Sequence, residues 1–289
     1  MARPFLDSAS PCMVAPGRAS ADHPVLSLDS PLVFAHRGGS VLRPENTVVA
    51  FDHGLALGAD GLEFDVRLSR DGEPMVHHDE TLDRTTDGRG ALTALSAAEL
   101  ERLDAGHHFR GLDGETFRGQ GVRIPRLTEV LARYDVPCII ELKGHDPEVG
   151  RRAAAVVRAA GALGRVCFGG FTDAVVRAAR ETGADVITSA AKEEIRWFLY
   201  RSWLGLAPTQ TAYRAFQVPE TAGVTRVVSR RFVRAATRAR IPVAVWTVDE
   251  PADMERLLEW GVRGVISDRP DLAVPAVRRW RASHPGPVV

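Results

Sequence analysis

The stretch "LVFAHRGGSVLRPENTVVAFDHGLALGADGLEFDVRL", residues 32–68, carries the pattern of a strand, a helix and a second strand. The runs at 32–36 and 61–68 are short and largely apolar, as expected for strands that are buried on both faces of a sheet. Between them, apolar residues recur at helical spacing behind Asn46 and Thr47, both good N-cap residues. The segment therefore predicts a helix that connects two strands.

The same alternation continues along the rest of the chain. Further runs of strand character occupy residues 137–143, 165–171, 184–190, 215–219, 242–248 and 263–268. Helical patterns occupy residues 149–162, 172–182, 230–240, 251–260 and 271–282. Eight strands that alternate with helices predict an α/β fold, a (β/α)8 TIM barrel. A doubly wound open sheet has the same alternation and is the alternative.

Two irregular regions and a leader interrupt this pattern. Residues 69–125 predict a small insertion after the second strand, in which "RDGE" forms a turn and "PMVHHD" a short extra strand. A second irregular region spans about 191–214. Residues 1–30 are rich in Pro, Ala, Ser and Asp and predict a flexible leader before one barrel domain at 31–285.

Composition limits the classes of function. The chain has 289 residues, with 37 Lys and Arg against 37 Asp and Glu, and the formal net charge of zero argues against a nucleic-acid partner. Cys12, Cys138 and Cys167 lie far apart without C-x-x-C spacing, which argues against a disulfide framework or a zinc site. The sequence shows no signal-peptide h-region and no apolar run of about 20 residues, so we expect a cytoplasmic protein.

Three acidic residues fall on predicted strands. Glu63 and Asp65 are two residues apart, so both side chains point to one face of the strand. Glu141 and Lys143 share a face of a later strand, and polar groups at the carboxyl ends of barrel strands are typical of active sites. The three carboxylates predict an oxygen-ligand site for one Mg²⁺ or Ca²⁺ ion. The alternative is a structural ion-pair ladder with arginines.

Histidines at strand ends accompany these acids. His36 ends the first strand and is followed by Arg37, whereas His77 and His78 end the short extra strand. Adjacent strand residues face opposite ways, so one of His77 and His78 is expected to reach the site. Imidazoles exchange protons near neutral pH, and fixed cations bind phosphate. With a divalent cation, this set of groups suits cleavage of a phosphodiester.

Five segments in order carry a resemblance to a known family. They are "AHRGGSVLRPENTVVAF", "GADGLEFDVRLSRDGEPMVHHDETLDRTT", "IPRLTEVL", "IIELK" and "VWTVDEPADMERLLEWGVRGVISDRPD". Over about residues 32–273 the chain resembles the glycerophosphodiester phosphodiesterase family. The resemblance implies a TIM barrel with an insertion after the second strand. It also implies metal-dependent hydrolysis of glycerophosphodiesters to glycerol 3-phosphate and an alcohol, within lipid and glycerol metabolism.

The resemblance also implies residue roles. His36 and His78 match the acid/base pair, and His78 precedes the Asp of the His-Asp-x-Thr-Leu-Asp pattern. The metal ligands match Glu63, Asp65 and Glu141, and the phosphate-contacting residues match Arg37 and Lys143. Trp246 resembles the family tryptophan near the glycerol or leaving group, with a core aromatic as the alternative for it and for Phe171. In the family a glycerol hydroxyl is thought to attack and form a cyclic phosphate, and direct attack by water is the alternative.

Other features leave alternatives open. Glu45 either shapes the turn before the first helix or joins the site. The aromatic segment 193–208 is interpreted as a barrel helix packed on the sheet, or as an exposed lip for an acyl chain or a peripheral membrane contact. The arginines of 230–240 are solvated or paired, or they contact phosphate or an anionic membrane. The alternative functions are lysophospholipase D-type cleavage of lysophospholipids and a non-catalytic barrel that binds a phosphorylated ligand.

Overall fold

The computed structural model describes residues 23–112, 114–206 and 210–284. The strands are β1 (Leu32–His36), β2 (Gly61–Leu68), β3 (Pro74–Val76), β4 (Cys138–Leu142), β5 (Val166–Gly170), β6 (Phe216–Pro219), β7 (Thr221–Ala222), β8 (Thr225–Arg226), β9 (Val243–Trp246) and β10 (Gly264–Ser267). The helices are α1 (Val48–Ala56), α2 (Ala97–Leu100), α3 (Leu127–Arg133), α4 (Pro147–Ala159), α5 (Asp173–Arg180), α6 (Lys192–Trp203), α7 (Arg230–Arg238), α8 (Pro251–Trp260) and α9 (Pro270–Ser283).

The central sheet is parallel and runs in the order β5-β4-β2-β1-β10-β9-β6. Two parallel bridges, Phe168 to Thr188 and Ser189 to Ala215, join its two edge strands through a short eighth segment. The sheet therefore closes into a barrel, which confirms the predicted (β/α)8 architecture over the open sheet. The strand expected at 184–190 is reduced to two bridging residues, of which Thr188 pairs with one neighbouring strand and Ser189 with the other side of the sheet.

Apolar side chains form two layers around this sheet. Alternate strand residues such as Phe34 and Ile266 point into the barrel, whereas Val33 and Val265 pack against the helices outside. A short 3₁₀ helix, Pro24–Leu26, adds Val25 and Leu26 to the interior cluster. Of the predicted leader at 1–30, residues 1–22 lie outside the described residues.

The insertion after β2 has a small apolar core of its own. β3 pairs antiparallel with β2, with Val66 opposite Val76. The core packs beneath the loops that follow β3, and it contains Met75, Leu82, Leu92, Leu100, Phe117 and Ile124. Because His77 N–H donates to Asp65 O at 3.0 Å, the two histidines after β3 are held beside the end of β2.

The helix that follows β1 begins at a close turn. Thr47 Oγ1 accepts a hydrogen bond from Ala50 N at 3.3 Å and caps α1. Gly38 has a φ of +87°, and a Cβ there would lie 2.6 Å from Ala50 Cβ, so only glycine fits. This turn brings Arg37 and Asn46 back over the end of β2. No helix within the described ranges is long and apolar enough to cross a membrane.

Candidate active site

The three predicted metal ligands meet at the carboxyl ends of two neighbouring strands. β2 pairs with β4 so that Asp65 lies directly opposite Glu141, and Glu63 points the same way two residues earlier. One carboxylate oxygen of each residue lies within 4.8 Å of the others. Glu63 is 3% exposed and Asp65 is 1% exposed. Three clustered carboxylates, two of them buried, are a donor set suited to a hard divalent cation.

Two cations already pair with part of this cluster. Lys143 Nζ lies 3.0 Å from Asp65 Oδ1 and 2.8 Å from Glu141 Oε1. Arg37 Nε lies 3.2 Å from Asp65 Oδ2. Burial raises the pKa of Asp65, but Lys143 and Arg37 outweigh burial and the pKa is lowered. Asp65 therefore lies in ion pairs, as the alternative of a structural ion-pair ladder expects.

Glu63 has far weaker partners. Its only ion pair within the described part of the chain is with His36, whose Nε2 lies 3.7 Å from Glu63 Oε2. The backbone N–H of Arg37 donates to the same oxygen at 3.3 Å. Burial raises the pKa of Glu63, and the charges of Asp65 and Glu141 raise it further, whereas the charges of His36 and Lys143 lower it without reversing the shift. A buried acid that faces two other acids with so little compensation fits a site that takes a cation.

His36 is fixed by an aspartate that the sequence analysis did not single out. Its Nδ1 donates to Asp268 Oδ1 at 2.6 Å, and Ser40 Oγ donates to the same oxygen at 2.5 Å. Burial lowers the pKa of His36, but Glu63 and Asp268 outweigh burial and raise it to about 9. Asp268 directly follows β10, and a search for acids after each barrel strand would have found it.

His78, which follows β3, is held in a similar way. Its Nδ1 donates to Asp79 Oδ1 at 2.6 Å, and Arg84 Nε donates to Asp79 Oδ2 at 2.5 Å. Burial lowers the pKa of His78, although the nearby charge of Asp65 raises it. In contrast, His77 is buried and its Nε2 contacts Thr81 O at 3.1 Å. His78 is therefore the histidine of this pair that faces the site.

The turn before α1 contributes two further polar residues. Asn46 Nδ2 donates to Asp65 Oδ2 at 2.8 Å, and its Oδ1 accepts from Asp65 N at 3.2 Å. Glu45 accepts from Arg37 Nη1 at 3.0 Å and from Arg84 Nη1 at 2.6 Å. Glu45 thus orients the arginines that surround the acids. The sequence analysis offered no role for Asn46 beyond capping, and its contact with Asp65 depends on the tertiary fold.

A cavity of about 290 Å³ opens beside these groups. His36, Glu63 and Glu141 lie on its wall, and most of the remaining lining is apolar. Trp246 and Phe171 also line it, with ring centroids 5.9 Å apart in an edge-to-face arrangement. Lys143 Nζ lies 5.5 Å from the Phe171 ring centroid. The two aromatic residues therefore border the cavity.

Comparison with known proteins agrees with this geometry. The model of the glycerophosphoryl diester phosphodiesterase family matches residues 36–272, which span the barrel and every group described above. The chain belongs to this family. As a member of it, the protein is a glycerophosphodiester phosphodiesterase.

Individual members of the family align with this chain over most of its length. A glycerophosphodiester phosphodiesterase from Caldanaerobacter subterraneus is 34% identical over 254 residues, 86% of this chain and 98% of that protein. One from Bacillus subtilis is 30% identical and covers 90% of this chain and 91% of its own. The similarity therefore extends over essentially the whole barrel rather than over a motif.

Solved structures of the family superpose on the barrel. A glycerophosphodiester phosphodiesterase from Agrobacterium tumefaciens has a TM-score of 0.69 at 28% identity and covers 86% of this chain and 99% of its own. A phosphodiesterase from Oleispira antarctica, solved in complex with the product sn-glycerol-3-phosphate, has a TM-score of 0.68 at 25% identity. That match covers 86% of this chain and 97% of the Oleispira chain.

Proposed function

We propose that the site hydrolyses glycerophosphodiesters to glycerol 3-phosphate and an alcohol with the help of one divalent cation. The observation that carries the proposal is the cluster of Glu63, Asp65 and Glu141 within 4.8 Å, with His36 Nε2 3.7 Å from Glu63 Oε2. The Oleispira antarctica relative is described in complex with the same product. Family membership favours this enzyme over a non-catalytic barrel that binds a phosphorylated ligand.

Glu63, Asp65 and Glu141 would hold the cation. Their oxygen donors suit Mg²⁺ or Ca²⁺. When bound, such an ion polarises a phosphoryl oxygen and offsets the negative charge that develops during displacement. The weak compensation of Glu63 described above is the feature of this chain that supports the assignment.

His36 and His78 are proposed to move protons. Each imidazole donates through Nδ1 to an aspartate, Asp268 or Asp79, which fixes the ring orientation and leaves Nε2 to exchange a proton. One histidine removes a proton from the attacking oxygen and the other donates one to the leaving oxygen. Each such role is typically worth roughly 10²–10⁴-fold in rate.

Arg37 and Lys143 are proposed to bind the phosphate. Both are held close to the carboxylates through pairs with Asp65. Their charges lie where a phosphodiester would approach the cluster, and guanidinium groups bind phosphate oxygens through two donors at once. Phe171 and Trp246 would contact the glycerol or the alcohol group at the cavity wall.

The largely apolar cavity lining favours a second candidate function. Lysophospholipase D-type cleavage would use the same acids and histidines on a substrate with an acyl chain. Apolar walls accommodate part of such a chain by the hydrophobic effect. The exposed aromatic residues of 193–208, which the sequence analysis interpreted as a lip or a membrane contact, are compatible with a lipid substrate.

Release of glycerol 3-phosphate from glycerophosphocholine tests the proposal. The assay is run with Mg²⁺, with Ca²⁺ and with EDTA, on the wild type, on Glu63→Gln and on Glu259→Gln, whose side chain is exposed on α8. We expect metal-dependent release that Glu63→Gln abolishes and Glu259→Gln preserves. Lysophosphatidylcholine as substrate separates the two candidates. Absence of release from both substrates with either cation would contradict the proposed function.

A further inference from the structure

The outer side of α6 exposes a stripe of aromatic and aliphatic residues. Trp197 is 69% exposed and Leu204 is 75% exposed. The other members of the stripe, all about half exposed, are Tyr200, Trp203 and Leu206, and the stripe continues past the end of α6 through Leu204 and Leu206. The inner side of the helix is buried through Phe198 and Leu199. The helix thus packs on the barrel, as one interpretation of 193–208 expects, and its other side carries an exposed apolar surface.

The neighbouring helix α7 exposes arginines. They are Arg230, Arg231, Arg234 and Arg238, with Arg240 directly after the helix, and all are exposed. Within the described ranges none of the five forms an ion pair or a side-chain hydrogen bond, and α7 contains no acidic residue. Many other arginines of the barrel helices are paired, as Arg180 is with Glu194, although the exposed Arg177, Arg201 and Arg278 also lack a pair within the described ranges.

Helix stability does not account for the first two of these arginines. Arg230 and Arg231 lie in the first turn of α7, where the helix dipole disfavours positive charge. The cap is supplied by Ser229, whose Oγ accepts from Phe232 N at 3.2 Å. Two uncompensated cations in this position indicate an external negative partner.

The two helices lie side by side. Phe198 of α6 and Phe232 of α7 pack edge to face, with ring centroids 5.0 Å apart. Both helices begin at the cavity end of the barrel, because Ile195 of α6 and Val227 just before α7 line the cavity. The apolar stripe and the arginines therefore form one continuous surface, which we name the α6–α7 face.

We propose that the α6–α7 face docks on an anionic phospholipid membrane. Tryptophan and tyrosine side chains favour the boundary between lipid headgroups and acyl chains, and each basic residue near an anionic leaflet strengthens binding about fivefold. Val224, at the tip of the hairpin formed by β7 and β8, is fully exposed and adds an apolar group at the cavity end of this face.

Other occupants fit this surface less well. In a two-fold dimer the same surface would face itself, which would bring the unpaired arginines of one copy against those of the other. Single-stranded nucleic acid would pair with the arginines and stack on Trp197 or Trp203. However, it offers nothing for Leu204 and Leu206, which acyl chains would bury. The docking proposal does not depend on catalysis at the barrel mouth.

Cosedimentation of the full chain with vesicles tests the proposal. The vesicles contain phosphatidylcholine alone or phosphatidylcholine mixed with phosphatidylglycerol. We expect binding to the anionic vesicles only, weakened by added salt. Arg231→Gln/Arg234→Gln should lower the partition coefficient about tenfold or more. The matched control is Arg89→Gln/Arg102→Gln, which removes two exposed arginines of the insertion and should bind like the wild type.

The aromatic part is tested with Trp197→Ser/Trp203→Ser, and with Trp197→Ser alone if thermal unfolding shows that the double variant is misfolded. We expect weaker vesicle binding in either variant. Three results would overturn the proposal. The first is that the wild type does not bind anionic vesicles, and the second is that Arg89→Gln/Arg102→Gln weakens vesicle binding as much as Arg231→Gln/Arg234→Gln does. The third is that light scattering shows a dimer, which Trp197→Ser dissociates. Vesicle binding that a single-stranded oligonucleotide abolishes, together with tight oligonucleotide binding, would assign the face to nucleic acid instead.

Discussion

Asp268 holds His36 across a sequence separation of 232 residues, with Nδ1 donating to Oδ1 at 2.6 Å. The contact exists because β1 and β10 are neighbours in the closed barrel. His78 has an equivalent partner in Asp79, the next residue in the chain. Both proposed proton-transfer groups are therefore held through the same ring nitrogen, and each presents Nε2 on the other side of the ring.

Replacing Asp268 tests whether this contact positions the histidine. In Asp268→Asn the carboxylate that accepts from Nδ1 is lost, so the imidazole is free to adopt the wrong tautomer. We expect kcat to fall about 10²-fold or more, with a much smaller change in KM. Steady-state kinetics with glycerophosphocholine measure both constants.

Ser40→Ala is the control for this variant. Ser40 donates to the same Asp268 oxygen but does not contact the ring of His36, so its removal should change kcat much less. If Asp268→Asn retained kcat within about twofold of the wild type, Asp268 would not be a positioning residue.

Much of the architecture follows from patterns that are local in sequence. Alternating apolar runs predicted the barrel, and every predicted barrel strand other than 184–190 lies within two residues of its predicted bounds. The extra strand predicted over "PMVHHD" ends earlier, at Val76, and the short hairpin of β7 and β8 was not predicted. The two-residue period placed Glu63 and Asp65 on one face, and the shared edge of parallel strands brought Glu141 to them. These relationships need no knowledge of the tertiary contacts.

The remaining parts of the site depend on contacts between distant segments. The link from Asp268 to His36 requires barrel closure, and the contact between Glu45 and Arg84 requires the fold of the insertion. The sequence could not decide whether the outward side of α6 is buried or exposed. Helical spacing predicts only which residues share a side. It does not predict whether a neighbouring element covers that side.

Metal binding should be visible without any substrate. A cation that binds the folded protein but not the unfolded chain stabilises the fold, by about 2.7 kcal/mol at a hundredfold excess over Kd. We expect Mg²⁺ or Ca²⁺ to raise the melting temperature of the wild type, and this shift to vanish in Glu63→Gln. Differential scanning fluorimetry across a metal titration measures it. An equal shift in Glu63→Gln would place the ion elsewhere.

Lys143 should stabilise the metal-free protein. Removing its ammonium in Lys143→Met leaves Asp65, a buried acid, without its closest cation, and breaking a buried pair costs about 3–5 kcal/mol. We expect the free energy of unfolding in EDTA to fall by about this amount, with part of the loss recovered by a divalent cation. Urea denaturation with and without the cation measures both effects.

Lys192→Met is the matched control for Lys143→Met. Lys192 is exposed at the start of α6 and makes no ion pair within the described part of the chain. Its replacement should change the free energy of unfolding by no more than about 0.5 kcal/mol. Equal stability of the two variants in EDTA would show that the Lys143 pairs do not stabilise the fold.

The pairs of Glu45 should make stability depend on pH. Burial raises the pKa of Glu45, but Arg84 and Arg37 outweigh burial, and the pKa in the folded state is lowered. Between the lower folded pKa and the ordinary value of about 4.3, the unfolded chain binds more protons than the folded protein. The contribution of Glu45 is therefore fully present above the unfolded pKa and is lost as the pH falls through the folded pKa.

Comparison of the wild type with Glu45→Gln isolates this contribution. At neutral pH the variant should be less stable by about 2 kcal/mol, because charge-assisted hydrogen bonds from two arginines are weakened. The difference should shrink as the pH falls below the ordinary value of about 4.3, because the unfolded chain then takes up a proton that folded Glu45 does not, and it should be lost as the pH falls through the lower folded pKa. Urea denaturation at each pH measures it, with the exposed Glu259→Gln as a control that should match the wild type at neutral pH. A stability difference between wild type and Glu45→Gln that stays constant or grows on acidification would contradict the assigned direction of the pKa.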